Sequence, residues 1–299
     1  MNTRPLLWLV IALAAVSSLS GCRRFRSRKA PPASASASPL ASAPIPSTSA
    51  DPLADPGDPD PGDLTAAAPS GDDDPDAGAE AFRRAFALHK KGCDKSDWDA
   101  CTNLGVDYQM ARGVPKSSAK AFLYYTKACD HDVMAACDNV GTMYRDGDSV
   151  PLDPVKACTF YKKSCDADHP QGCSALGYMY ETGKGVTRDA RTARDLYQRG
   201  CDGADPLGCA NLGLFYKSGR GGPADLHMAV TVLRKACDGG NADGCFNLGE
   251  MYESGKGIRR DLKEAARWYK EACDADNADG CTRLGQLARK SKAGSASNP

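Results

Sequence analysis

The stretch CANLGLFYKSGRGGPADLHMAVTVLRKACDGG, residues 209–240, carries the pattern that decides the fold of this chain. Apolar residues at helical spacing lie on both sides of its glycine-rich turn, and a cysteine stands near each end. The same pattern returns every 36 residues along the chain. A fixed period of this length predicts stacked structural repeats rather than a single globular core.

Cysteine pairs are the clearest marker of the period. Twelve of the 14 cysteines form six C-x7-C pairs, and only Cys22 and Cys158 stand apart from them. The pairs are Cys93 with Cys101, Cys129 with Cys137, Cys165 with Cys173, Cys201 with Cys209, Cys237 with Cys245 and Cys273 with Cys281. Because they recur at one phase of the period, they suggest that each repeat has its own covalent link.

Each repeat is predicted to contain two helices. Cys101, Leu104, Gly105 and Tyr108 stand at i, i+3, i+4 and i+7, which places them on one face of a helix A that runs from about residue 97 to 111. A glycine-rich turn follows, and helix B then begins at a column of capping residues. That column contains Ser117, Asp153, Asp189, Asp225 and Asp261.

The aligned repeats resemble the Sel1-like repeat, a relative of the tetratricopeptide repeat. The shared pattern is A/G-C-x-N-L-G-x-M/F-Y-x-x-G-x-G-V, followed by D-x-x-x-A-x-x-x-Y-x-x-A-C, over about 210 residues. The paired cysteines make the chain similar to the cysteine-rich subfamily, which is known from secreted bacterial proteins. The resemblance implies an all-α, right-handed α-solenoid of antiparallel helix pairs, a disulfide in each cysteine pair, and a role in holding other proteins together.

Disulfides are also favoured over zinc by the positions of the cysteines. Each pair would join the end of one helix B to the first turn of the next helix A, and bridges of this kind persist in an oxidising compartment. The chain has no C-x2-C or C-x2-H spacing, and two thiols per repeat make only half a zinc site. We therefore expect disulfides, with no metal and no cofactor. A thiol redox protein that uses exposed cysteine pairs is the alternative.

The N-terminus predicts export and lipid anchoring. An apolar stretch of 14 residues, at positions 6–19, follows Arg4 and is too short to span a membrane but typical of a signal peptide. It ends in Leu19-Ser20-Gly21-Cys22, which resembles the lipobox of bacterial lipoproteins, in which the cysteine is diacylated. Arg23 rather than aspartate after the cysteine favours the outer membrane. A plain secretory signal is the alternative.

These patterns give four expected segments. Residues 1–21 form a lipoprotein signal peptide, and residues 22–79 form a lipidated, basic and then Pro/Ala/Ser/Asp-rich disordered linker. The basic cluster after Cys22 either contacts anionic lipid or is a solvated spacer. Residues 80–291 form the solenoid, with a leading helix B, five A–B repeats and a final helix A, and residues 292–299 form a disordered tail.

Charge and motifs exclude some functions and leave others open. The chain has 38 basic and 38 acidic residues, and without a concentrated basic face we expect no nucleic-acid partner. The subfamily includes proteins described as β-lactamase-like or penicillin-binding, and Ser117-Ser118-Ala119-Lys120 matches S-x-x-K. However, Ser117 lies in the capping column, and the S-D-N and K-T-G elements are absent, so we predict no catalytic site.

A binding surface is predicted on helix A, which usually lines the concave side of such solenoids. Asn103, Asn139, Asn211 and Asn247 occupy one column beside the buried stripe, with Ala175 in the fifth copy. Asparagine amides bind peptide backbone without reading its sequence, although they could instead bond to a neighbouring turn. Tyr178 and Leu214, in a variable column, are the predicted apolar anchors.

The sequence thus predicts a membrane-anchored, extracytoplasmic scaffold that binds protein or peptide segments and faces the periplasm. A β-lactamase-like, penicillin-binding or cell-wall enzyme remains the alternative function. Cys158 has no counterpart in the other repeats. It is interpreted as a small, partly buried side chain, with a dimer through an intermolecular disulfide or a reactive thiol as the other interpretations.

Overall fold

The computed structural model describes the backbone of residues 77–296 and the side chains of residues 78–289. This part of the chain folds into twelve α-helices without a β-strand. Their bounds are α1 Ala77–Asp94, α2 Trp98–Met110, α3 Ser118–Asp130, α4 Met134–Asp146, α5 Pro154–Asp166, α6 Pro170–Thr182, α7 Ala190–Asp202, α8 Pro206–Ser218, α9 Leu226–Asp238, α10 Ala242–Ser254, α11 Leu262–Asp274 and α12 Ala278–Ala296.

The even-numbered helices are the predicted helices A, and the odd-numbered ones are the helices B. Every helix packs against the helices before and after it in the sequence, and the most extensive contacts lie within the A–B pairs. This arrangement confirms the all-α solenoid of helix pairs with a period of 36 residues. None of the described helices is both long enough and apolar enough to cross a lipid bilayer.

Caps fix where the helices begin and end. In each of the five internal helices B, the predicted capping residue accepts a hydrogen bond from a backbone N–H in the first turn of its helix. Four helices A end at a glycine in the left-handed conformation, where φ is between 70° and 75°. These four are Gly147, Gly183, Gly219 and Gly255. Glycine suits this position because it has no Cβ.

All six predicted disulfides are present, and each joins the end of a helix B to the first turn of the next helix A. The two Cα atoms of a bridge lie 4.4 to 4.7 Å apart. The bonded pairs are Cys93 and Cys101, Cys129 and Cys137, Cys165 and Cys173, Cys201 and Cys209, Cys237 and Cys245, and Cys273 and Cys281. The pairing predicted from the sequence is therefore confirmed at every position.

Burial separates the internal bridges from the last one. The first five bridges are buried, and in three of them the second cysteine also lies close to the carbonyl oxygen of the first, with an Sγ–O distance of 3.6 Å. These second cysteines are Cys137, Cys173 and Cys209. Cys281 of the last bridge is exposed. Since redox exchange needs an accessible sulfur, burial favours a structural role for the internal bridges over thiol chemistry.

In four of the five A–B pairs, a tyrosine ring from helix B lies directly on a glycine of helix A, and in the fourth pair Leu233 takes this place beside Gly213. The rings of Tyr125, Tyr161, Tyr197 and Tyr269 are fully buried, and a Cβ placed on the facing glycine would come within 2.5 to 2.9 Å of a ring carbon. The four facing glycines are Gly105, Gly141, Gly177 and Gly249. The small residue therefore sets how closely the two helices approach.

The terminal helices are longer than predicted. Helix α1 begins at Ala77 and α12 continues to Ala296, so the predicted solenoid boundaries at residues 80 and 291 lie inside helices. At both ends the sequence lacks a capping residue that most other copies have. Ala81 stands where the internal helices B have a Ser or Asp cap, and Ser291 stands where four helices A have their left-handed glycine. The predicted signal peptide, Cys22 and the linker up to residue 76 lie outside the described residues, as do residues 297–299.

We predict that Gly249→Ala lowers the free energy of unfolding by about 1–3 kcal/mol, because its Cβ would meet the Tyr269 ring at 2.7 Å. Gly285 is the matched control: it occupies the same repeat position in α12, and a Cβ there has no heavy atom within 4 Å. Gly285→Ala should be neutral or stabilising by up to about 1 kcal/mol. Urea unfolding of both variants tests the difference, and equal stabilities would contradict the packing account.

Candidate functional site

Helices A lie on the inner side of the solenoid. Consecutive helices α4, α6, α8 and α10 contact one another, whereas no two consecutive helices B in the described chain contact each other to the same extent. Helices on the inside of a curve are closer together than those on the outside. The predicted binding face is therefore on the concave side of this part of the chain.

The asparagine column lies at the surface of helices A. Asn103 is exposed, and the other three members are partly exposed. Asn247 is already engaged, because its Nδ2 donates to the Asp243 carbonyl at 2.8 Å and its Oδ1 accepts from Lys217 Nζ at 3.3 Å. The amides of Asn103, Asn139 and Asn211 make no hydrogen bond to another described residue. Three of the four predicted amides thus remain open to a ligand.

The two predicted apolar anchors have different surroundings. Tyr178 is 36% exposed, and Lys184 lies beside it, with Nζ 5.4 Å from the ring centre and 3.3 Å from the hydroxyl oxygen. Leu214 is partly buried and lines an open cleft. Leu214 is therefore the anchor that lies beside a recess of the surface.

The cleft has a volume of about 720 Å³ and lies where the turn of the fourth A–B pair meets the turn of the fifth. It is lined by Leu214, Lys217, Ser218, Arg220, Ala224, Leu226 and Lys256. Volumes of this size are typical of sites that hold small ligands or a few side chains. Sequence reasoning identified only Leu214 among these residues. Lys256 joins the lining from the turn of the following pair, and a contact between successive turns is not visible in the sequence.

Three basic side chains and no acidic one line this cleft. Lys217 Nζ lies 2.9 Å from Glu250 Oε2, and Arg220 pairs with Glu181. Lys256 is exposed and makes no ion pair within the part of the chain that the structure describes. The cleft therefore combines an apolar wall with a positive edge.

Ser117 has the structural role predicted for it. Its Oγ accepts a hydrogen bond from the backbone N–H of Lys120 at 3.3 Å and so caps α3. The ammonium group of Lys120 lies 5.2 Å from the centre of the Tyr108 ring. The S-x-x-K match is thus explained by helix capping and a cation–π contact.

Two histidine–aspartate pairs were not found by sequence reasoning. His89 Nδ1 lies 2.6 Å from Asp107 Oδ2, and His169 Nδ1 lies 2.7 Å from Asp138 Oδ2. Both pairs link different helices, and neither recurs in the other repeats, so alignment of the repeats could not reveal them. His169 stands at the N-cap of α6 but makes no side-chain capping bond.

The surroundings of Asp138 shift the pKa of its carboxyl group. Burial raises its pKa to about 6, against the opposing effects of Ser164 and His169 beside it. The Ser164 side chain is fully buried and lies next to this carboxyl group, across from Gly172. The carboxyl group therefore makes the stability of the fold depend on pH.

Cys158 is a buried free thiol. It is 1% exposed, its Sγ lies 3.4 Å from the Lys184 carbonyl oxygen, and burial raises its pKa to about 11. Both burial and a raised pKa disfavour thiolate chemistry. A disulfide between two copies would need this sulfur at the surface, so the geometry supports the interpretation of Cys158 as a packed side chain rather than a dimer contact.

No cluster of His, Cys, Asp and Glu suitable for a metal ion occurs among residues 78–289. The candidate site is therefore the inner face of helices A with the cleft beside Leu214. It presents amides, an apolar wall and cations to a ligand.

Comparison with known proteins identifies similar repeats. The model of the Sel1 repeat family matches residues 98–133, 135–169, 170–205, 206–241 and 242–277. A Sel1 repeat protein from Oxalobacter formigenes is similar at 30% identity with a TM-score of 0.65, over 71% of this chain and 86% of that one. No curated protein matches the chain.

Two further solved structures are similar. One is c5321, a protective antigen present in uropathogenic Escherichia coli strains, with 25% identity and a TM-score of 0.61. The match covers 72% of this chain but 46% of that antigen, so this chain corresponds to about half of it. The other is Helicobacter pylori cysteine rich protein B, with 29% identity and a TM-score of 0.37, over 43% of this chain and 92% of that one.

We predict that Asp138→Asn is more stable than the wild type at pH 7.5 and that this advantage disappears near pH 4. The pKa of Asp138 in the folded protein is about 6, above its ordinary value of 3.8, so the stability it contributes is intact below pH 4 and is lost as the pH rises through 6. The shift corresponds to about 3 kcal/mol.

Urea unfolding between pH 4 and 8 measures this difference. His169→Gln removes a group that favours the charged carboxylate, so it should lose more stability than the wild type over the same pH range. The same pH dependence for the wild type and Asp138→Asn would contradict the prediction.

Proposed function

This chain belongs to the Sel1 repeat family, and we propose that it is a lipid-anchored scaffold that binds protein segments outside the cytoplasm, along the inner face of its helices A. The observation that carries the proposal is the set of three open amides on helices A, which lie on the concave side of a disulfide-linked solenoid, together with the apolar cleft beside Leu214. Sel1 repeats are typical of proteins that act through protein–protein interaction.

The disulfides support the proposed location outside the cytoplasm. Six bridges in one chain indicate an oxidising, non-cytoplasmic location, because cytosolic thiols are kept reduced. The lipobox-like Leu19-Ser20-Gly21-Cys22 supports a diacylated cysteine as the anchor, with the outer membrane as the site of attachment. The residues between Cys22 and α1 then separate the solenoid from the lipid surface.

The binding mode follows from the rigidity and chemistry of the inner face. In each of the five A–B pairs, helix A is linked to the preceding helix B by a disulfide and packs closely on the following one through its glycine. A surface held in this way loses little conformational entropy when it binds, which favours affinity. The open amides supply hydrogen bonds to peptide backbone, and Leu214 with its cleft supplies selectivity.

We predict that Cys22→Ala moves the protein from the membrane fraction to the soluble periplasmic or secreted fraction, because it removes the acylated side chain. Stable anchoring needs two acyl chains or an equivalent second signal, since one chain alone binds only reversibly. The variant lacks the residue that carries both chains, so most of the protein should be released. Cell fractionation with immunoblotting measures the distribution, and Ser20→Ala is the matched control. Retention of Cys22→Ala in the membrane would contradict the anchor but not the binding face.

We predict that the triple variant Asn103→Ala, Asn139→Ala and Asn211→Ala loses most of the protein partners that crosslink to the wild type in intact cells. Its stability should be unchanged, because these amides make no internal hydrogen bond. The control is a triple alanine variant of exposed residues on helices B, namely Thr159, Lys162 and Thr231.

Crosslinking followed by affinity purification and mass spectrometry compares the two variants. Equal capture by both would show that the asparagine face is not the binding surface. If the wild type captures no partner at all, the scaffold function itself is wrong.

A further inference from the structure

We propose that the cleft beside Leu214 binds a peptide segment in which an acidic side chain stands next to a leucine-sized apolar one. This inference rests on the scaffold function and specifies the chemistry of the partner. It is carried by two differences between the fourth A–B pair and its neighbours, one in size and one in charge.

The size difference is at Ala224. In the flanking pairs the same repeat position holds Arg188 and Arg260, and each donates through Nε to a carbonyl in the last turn of its own helix A at 2.9 Å. The first two pairs have Lys116 and Leu152 there, so Ala224 is the smallest residue of the column. The cleft lies where these larger side chains would otherwise be.

The backbone around Ala224 has the same geometry as in the flanking pairs. A Cβ placed on Gly219 would lie 3.4 Å from the Ala224 Cβ, and the corresponding distances are 3.2 Å from Gly183 to Arg188 and 3.0 Å from Gly255 to Arg260. The main chain at this point therefore leaves similar room for a side chain in all three turns. At Ala224 this room is not filled.

The charge difference comes from contacts between successive turns. Between the third and fourth pairs, the basic residue in the later turn reaches back to the end of helix A in the preceding pair, where Arg220 pairs with Glu181. At the cleft the equivalent positions hold Lys256 and Lys217, which are both cations. The opposite charges of one junction are replaced by like charges at the next.

None of the residues that line the cleft is a carboxylate that could neutralise Lys217 or Lys256. Lys217 is balanced from one side by Glu250, at 2.9 Å, while Lys256 makes no ion pair within the described part of the chain. A carboxylate from outside would therefore meet one uncompensated ammonium and a second one nearby. Charge complementarity of this kind favours an acidic ligand and speeds its association.

The apolar wall of the cleft requires an apolar side chain in the ligand. Leu214, Ala224 and Leu226 line the cleft, and Leu214 stands three positions after Asn211, on the same side of α8. A peptide that lies along the asparagine column can thus place one side chain in the cleft without leaving helix A. A leucine-sized side chain suits this wall, while its acidic neighbour meets Lys217 and Lys256 at the edge.

The test is fluorescence anisotropy with the full chain and a labelled peptide, Ser-Asp-Leu-Glu-Leu-Ser. We expect saturable binding that weakens as salt increases. A peptide with lysine in place of both acidic residues, and another with serine in place of both leucines, should each bind at least about tenfold more weakly. Equal affinity for the acidic and lysine peptides would overturn the proposal.

The decisive variant is Ala224→Arg, which gives this turn the side chain that both flanking pairs carry. It should fill the cleft and lower peptide affinity at least about tenfold, with an unchanged melting temperature. Arg260→Ala, which alters the neighbouring turn outside the lining, is the matched control and should bind the peptide as the wild type does. Unchanged affinity in Ala224→Arg overturns the proposal.

The same variants separate this proposal from the scaffold function. If Ala224→Arg keeps its crosslinked partners and its peptide affinity, the cleft is not a binding site and the scaffold function stands. If the wild type captures no partner in cells, the scaffold function fails, whatever the peptide does. Loss of both peptide binding and partner capture in Ala224→Arg alone supports the cleft as the partner's docking site.

Discussion

The structure depends on the junction at which helix B ends and the next helix A begins. The disulfide between Cys237 and Cys245 holds two such helix ends at a Cα separation of 4.5 Å. The contact of a glycine in helix A with a tyrosine, or in the fourth pair a leucine, of helix B then sets the spacing within each pair. With both distances fixed, adding repeats leaves little freedom in how one pair is placed on the next. The inner face is therefore preformed, and what it binds is determined by the residues that vary on it.

Most of the fold could be predicted from sequence because its causes recur in register. The cysteine pairs, the caps of helices B and the glycine columns each appear several times, and every copy reinforces the others. The ends were predicted less well, since Ala81 and Ser291 stand where most other copies have a capping residue. Because these local signals recur in this chain, they could be recognised in its sequence.

The candidate site was harder to predict for the same reason. Leu214 was found because it lies in a variable column, but the cleft beside it results from a short side chain, Ala224, and from a basic residue that reaches back from the next turn. The His169–Asp138 pair likewise joins positions that no other repeat fills in the same way. Such features arise from departures from the repeat, and their consequences show only when neighbouring turns are placed together in space.

The short span of each disulfide has a consequence for how the protein is made. The two cysteines of every pair are eight positions apart, so an exported chain that enters an oxidising compartment N-terminus first delivers both almost at once. Cys158 lies between Cys137 and Cys165 in the chain and is the one thiol of the solenoid that this spacing does not assign to a partner. For the other twelve, the correct bond closes a short loop, which favours pairing within a repeat over pairing between repeats.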